Sequence, residues 1–247
     1  MRPLLHAELI KLRTTRTFWA LAGVGIGISL LITVLTTVLS EPSQEDVITE
    51  VFTNDTTSFF ITILAIVGIT GEWRHRTITS SLLAAPDRLR FLAAKTLAFA
   101  AAGVLLSIGI SVFTAAVGYA ILEFRDLPTP GLGDVVEQWG RNAIVAALLG
   151  GFGVGFGSIV RNQPTAIVAI LIYGFAIDGT LAFLAPEVAR FSPTGALPSA
   201  IQGLNPEDVG AEEVDYFSAG TAILLMLAWI GGLFAAGAAM LRSRDVD

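Results

Sequence analysis

Apolar residues in this chain fill six long, nearly charge-free runs: Phe18–Leu39, Thr56–Gly71, Leu97–Leu122, Ala143–Val160, Thr165–Pro186 and Ala219–Leu241. A helix needs about 20 apolar residues to cross a hydrocarbon core about 30 Å thick. Lipid offers no partners to stray backbone groups, so such runs must close their hydrogen bonds internally. The pattern predicts an all-α membrane protein, a single transmembrane domain over residues 1–247 with six spans. The second run is the shortest, about 24 Å at 1.5 Å per residue. Its helix is therefore expected to begin nearer Val51, with Asn54 and Asp55 among the outer headgroups.

Polar positions partition by side. Of 15 basic residues, only Arg125, Arg141 and Arg190 fall in the segments on one face of the predicted membrane. The rest, including Lys11, Arg74, Arg76, Arg88, Arg90 and Lys95, fall on the other. Basic residues are retained on the cytoplasmic side during insertion, so both termini are expected inside the cell. Glu41, Glu45, Asp46, Glu50 and Asp55 crowd the first outer loop, and Glu207, Asp208, Glu212, Glu213 and Asp215 the last. The first run is longer than a secretory h-region and lacks a small-residue cleavage site, so it is expected to stay as the first span. Before it, Leu5, Leu9 and Leu12 recur at helical spacing with Glu8, Lys11 and Arg13 off the stripe. That pattern fits a helix lying in the inner interface; a disordered basic tail is the alternative.

Composition adds exclusions. Hydrophobic residues make up 53% of the chain, charged residues 15%, and cysteine is absent. Disulfides, thiolate nucleophiles and Cys-ligated metals are therefore ruled out. Neither His6 nor His75 lies in a span and no H-E-x-x-H occurs, so intramembrane hydrolysis is not expected. Span serines such as Ser29, Ser107, Ser111 and Ser158 have no sequence-adjacent base, and are expected to bond their own helices or glue helix pairs. No catalytic residue, metal or cofactor is assigned to the chain.

The segment Glu72–Lys95 joins the second and third spans on the basic side. Thr77 or Thr79 can cap a short helix that carries Leu82 and Leu83 and stops before Pro86. Asp87 then restarts a helix into the membrane. An exposed apolar ridge flanked by basic residues reads as a protein-docking surface. The competing reading is that these cations only satisfy the inside rule and touch anionic headgroups.

This arrangement resembles the permease subunits of type-2 ABC exporters. The likeness lies in the basic interfacial helix, the acidic first outer loop and the Glu-x-x-x-x-Thr, Leu-Leu, Pro, Arg, Lys order of Glu72–Lys95, with Glu8-Leu9-Ile10-Lys11-Leu12-Arg13 as a second element. The resemblance implies six spans, cytoplasmic termini and a coupling helix after the second span that seats in a separate ATPase. It implies that Glu72, Arg76, Thr77, Leu82, Leu83, Pro86, Arg88 and Lys95 shape or flank that docking element. Family members often carry Gly before the Thr where this chain has Arg76. Arg enters the φ > 0 region less readily than Gly, so a different turn is expected there. By the same resemblance the dimer seam involves spans one, two and five, and residues 187–218 fold into short helices capping the outer side. A solvated loop is the alternative for that segment.

Energy must then come from elsewhere. The chain has no G-x-x-x-x-G-K-[ST] phosphate loop. ATP and Mg are expected in a cytoplasmic ATP-binding partner, beside a second permease copy and membrane lipids; no nucleic acid is expected. Ion coupling would require an ionisable group within a span, and Asp178 is the acidic candidate. Arg141 stands at the outer mouth of span four, and the two are expected to pair. Gly151/Gly155, Gly153/Gly157 and Gly23/Gly27 are small-xxx-small pairs that let helices approach closely. Packing within one chain is favoured for span four; Gly23 and Gly27 also suit the dimer seam. The expected function is the membrane subunit of an exporter in the bacterial cytoplasmic membrane, moving a drug, antibiotic peptide or lipid. An ion-coupled transporter and a non-transporting scaffold or immunity protein are the alternatives.

Overall fold

The computed structural model describes residues 2–78, 87–204 and 215–243. They form α1 (Arg2–Thr14), α2 (Arg16–Leu39), a π-helical turn (Ile48–Phe52), α3 (Thr57–Arg74) and α4 (Arg88–Phe124). Then follow α5 (Leu132–Val160), α6 (Gln163–Ile172), a second π-helical turn (Tyr173–Ile177) and α7 (Asp178–Leu184). Two short helices, α8 (Pro186–Ala189) and α9 (Ala196–Gln202), precede α10 (Ala219–Ser243). No strand occurs among the described residues. Six helices are long and apolar enough to cross a membrane, with α6, its π turn and α7 acting as one.

Helix ends sit where the chain supplies caps. The Asp87 carboxylate accepts from the backbone N–H groups of Leu89 (3.0 Å) and Arg90 (3.2 Å), starting α4 as the sequence predicts. Asn162 accepts from Thr165 N–H at 3.1 Å, with Pro164 in the first turn of α6. Arg125 donates to the Thr37 and Ser40 carbonyls at 2.6 and 2.9 Å, satisfying acceptors that the end of α2 leaves open.

The helix α5 is the centre of the bundle. Its most apolar window is 72% buried, against 22% for α2, 11% for α6–α7 and 17% for α10. Glycine makes this possible. A Cβ on Gly103 would stand 2.5 Å from the Ala146 carbonyl oxygen, and one on Gly150 2.7 Å from that of Phe99, so α4 and α5 touch backbone to backbone. A Cβ on Gly153 would stand 2.7 Å from the Thr62 carbonyl oxygen of α3. One on Gly155 would stand 2.8 Å from Leu233 Cβ of α10, and Gly151 faces Ile230 of the same helix. The span-four glycines thus pack within the chain. Gly23 and Gly27 face open space, with no atom near a would-be Cβ.

Several helices run beyond the apolar runs. The fourth begins at Leu132 rather than Ala143, because Val135, Gln138 and Asn142 continue a buried face above the apolar section. Asn142 donates to the Phe52 carbonyl at 3.2 Å and accepts from Gln202 at 3.0 Å, tying α5 to the segment between spans one and two and to α9. The segment between spans five and six is folded where it is described: Leu197 and Ile201 of α9 are buried against Ala222 and Met226 of α10. Residues 205–214, with Pro206 and Gly210, lie outside the described residues.

Candidate functional site

The helix α3 ends in a Schellman motif. The Thr77 N–H bonds the Glu72 carbonyl at 2.9 Å and the Arg76 N–H bonds the Trp73 carbonyl at 3.1 Å. That geometry needs a left-handed residue next to last, a place usually given to Gly. Arg76 fills it with φ 56. The expectation of a different turn is therefore corrected: Arg76 adopts the glycine-like conformation, held by two backbone bonds that outweigh its steric cost. The same device ends α4, with Asp126 at φ 52 and Leu127 N–H on the Leu122 carbonyl at 2.9 Å.

This cap places Glu72 in the last turn of α3, pointing inward and 6% exposed. Its Oε2 accepts from the Thr77 hydroxyl at 2.7 Å. Its Oε1 accepts from Lys95 (3.2 Å) and Lys11 (3.1 Å). Glu8 completes the group, accepting from Lys95 at 2.7 Å and from Lys11 at 2.9 Å. Lys95 spends its third donor on the Gly68 carbonyl at 3.3 Å and is 2% exposed. Two carboxylates and two ammonium groups thus close a neutral cluster drawn from α1, α3 and α4. A buried charge without partners is costly; here each of these carboxylates faces two cations. Lys11 is half exposed. Partial burial pulls its pKa down, but Glu8 and Glu72 outweigh that and hold it above its ordinary value.

Two sequence expectations are revised. Glu8 is among the buried polar residues, so the inward face of α1 is this carboxylate together with Leu4 and Leu12, which pack on the core. Lys95 lies inside the bundle rather than at the mouth of the third span. A cavity of about 430 Å³ opens beside the cluster, lined among others by Thr15, Phe18, Val67, His75, Thr77 and Gln163.

The docking residues divide. Glu72, Arg76 and Thr77 form the cap just described. Arg88 opens α4 and donates to the Leu241 carbonyl near the end of α10. Arg74 donates to Gln163 at 3.1 Å, the first residue of α6. Leu82, Leu83 and Pro86 lie outside the described residues. Both flanks of residues 79–86 are therefore pinned to four helices of the bundle.

Arg141 and Asp178 do not pair. Arg141 bonds Glu137 one turn back at 2.6 Å. Asp178 accepts from Ser192 at 2.5 Å and from Thr194. Local hydroxyls from the turn after α8 reach Asp178 first, and a same-helix carboxylate reaches Arg141. Nor is Asp178 the lone acidic group within a span. Asp55, bonded by Ser107 of α4, is 8% exposed, and Glu72 is buried at the other end of the same candidate span. Short-range apolar counts could not find these two, because both sit at the edges of the second apolar run.

Among the described residues no group of three or more His, Asp or Glu side chains is placed to hold a metal ion. No protein-family model matches this chain, and no curated protein matches it.

Proposed function

We propose that this chain is the membrane-spanning subunit of an ATP-driven exporter in the bacterial cytoplasmic membrane, powered by a separate ATP-binding subunit docked on residues 72–90. The observation that carries the proposal is the neutral Glu8–Lys11–Glu72–Lys95 cluster beneath the segment joining spans two and three. Force delivered to the flanks of that segment enters buried, ion-paired groups. It passes through the Schellman cap into α3, through Lys95 into α4 and through Glu8 into α1, so these helices move as one body. Transport then follows from rocking this body against the rest of the assembly, since packed interfaces switch between discrete arrangements. ATP and Mg belong to the partner in this reading, and both termini face the cytoplasm, as the distribution of Lys and Arg supports.

A second copy, or a homologous permease, supplies the other half of the pathway. The open faces at Gly23 and Gly27 on α2 suit that seam. Cargo is a lipophilic or amphipathic molecule, because the exposed span faces carry few polar groups.

The test is export by the intact assembly. Inverted membrane vesicles containing the chain and its ATPase should accumulate a lipophilic dye on ATP addition, and Leu83→Asp should abolish accumulation while leaving the chain in the membrane. Uptake that ignores ATP and collapses with a protonophore would replace this reading with ion coupling.

A further inference from the structure

The cavity beside the ion cluster changes from apolar to polar along the axis of the bundle. Phe18 of α2, Leu64 and Val67 of α3 and Phe99 of α4 line one end. Lys11, Thr14, Thr15, Thr17, His75 and Gln163 line the other. From Leu64 to His75 the wall runs from the interior of the second span to the cap of α3, about 16 Å at 1.5 Å per residue. Two glycines form the floor. A Cβ on Gly68 would stand 2.2 Å from the Phe99 ring, whereas one on Gly71 would meet only His75 Cδ2, at 3.9 Å. The volume of about 430 Å³ falls within the range of about 300–1,000 Å³ common to small-molecule sites. Water suits the polar end alone. An ordered water needs about two to four polar partners, and the side chains of Phe18, Leu64, Val67 and Phe99 supply none.

The polar end favours an anion. Lys11 is half exposed and gives two of its three protons to Glu8 and Glu72. Gln163 accepts from Arg74 through its carbonyl oxygen and keeps its N–H donors. Among the described residues the acids lining the cavity are Glu8 and Glu72, and Lys11 and Lys95 face both. Exposed Arg13, Arg16 and Arg74 adjoin rim residues in the chain. Thr14 and Thr15 donate to carbonyls of α1, so their oxygens are left as acceptors for a hydroxyl.

We propose that this cavity holds one anionic phospholipid, with its phosphate at Lys11 and His75 and an acyl chain along Phe18, Val67, Leu64 and Phe99. The order of the walls is that of a lipid standing in its own leaflet, headgroup at the span ends and chain toward the midplane. Charge complementarity selects the headgroup, because the ammonium of a zwitterionic lipid would meet Lys11 and the arginines as a like charge. The lipid fills the gap between α1, α2 and α3 beside the Glu8–Lys95 bond, as a resident of the fold rather than cargo. The site stands on the cavity alone and does not depend on an ATPase.

The experiment is native mass spectrometry and thermal unfolding of the full chain in mild detergent, titrated with phosphatidylglycerol, phosphatidylcholine or glycerol phosphate. One retained phosphatidylglycerol per chain is expected, with saturable stabilisation by that lipid over the other two. Gly71→Leu, whose side chain enters the cavity and leaves every charge in place, should abolish both. His75→Ala, at the exposed rim, should weaken the apparent affinity by about fivefold, and it carries the test if Gly71→Leu fails to fold. Equal stabilisation by phosphatidylcholine, or a phosphatidylglycerol response that survives these variants unchanged, overturns the proposal. So does equal stabilisation by glycerol phosphate, which would assign the rim to a free phosphate.

Discussion

Lys95 Nζ lies 2.7 Å from Glu8 Oε2, joining the third span to a helix 87 residues earlier in the chain. Because Lys95 also holds Glu72, this bond makes the amphipathic α1 part of the bundle rather than a raft beside it. Removing Lys95 should leave two buried carboxylates with Lys11 as their remaining cation. Lys95→Met is expected to destabilise the detergent-solubilised protein by about 3–5 kcal/mol. A double-mutant cycle with Glu8→Gln should show strong coupling, and additive effects would mean the two groups are independent.

The left-handed turn at Arg76 makes a prediction of opposite sign. Relief of the αL penalty is worth about 1–2 kcal/mol, and the extra unfolded-state entropy of Gly removes about 0.5–1 of that. Arg76→Gly should therefore raise stability by about 0.5–1 kcal/mol, and Arg76→Val should lower it. Chemical denaturation of the three proteins side by side measures the order.

Glycines that look alike in sequence separate in the structure. Gly150→Ala drives a methyl into the Phe99 carbonyl, which cannot step aside, and should cost about 1–3 kcal/mol. Gly23→Ala meets nothing and should leave thermal stability unchanged. If α2 forms the seam between two copies, Gly23→Leu should dissociate the assembly on native gels while the single chain melts as before.

Alkaline stability reports on Lys11. Its pKa in the fold is raised above 10.5, so its contribution is complete below pH 10.5 and fades as pH climbs through the folded value. Melting temperature followed from pH 9 to 12 should fall more steeply for the parent than for Lys11→Met. Parallel curves would show that Lys11 interacts equally in the folded and unfolded chains.

The spans themselves were legible, since hydrophobic runs of this length have one stable form in lipid. Asp87 as the start of α4 was legible too, being a cap with a local signal. What escaped was set by contacts distant in sequence. Burial of Glu8 depends on Lys95, and burial of Asp55 depends on Ser107, 52 residues on. Asp178 was drawn to Ser192 and Thr194 by a turn whose fold the sequence left open, which dissolved its expected pairing with Arg141. At Arg76 the residue type argued against the turn, and the backbone bonds of the Schellman motif overrode it.

Sidedness is the sharpest test of the account. The chain has no cysteine, so single reporters can be placed at exposed His75, beside the ion cluster, and at exposed Gln44, in the segment between spans one and two. A membrane-impermeant maleimide applied to intact cells should label Gln44→Cys and spare His75→Cys, with the pattern reversed in inverted vesicles. Labelling of His75→Cys from outside the cell would place the ion cluster away from any cytoplasmic ATPase and contradict the proposed mechanism.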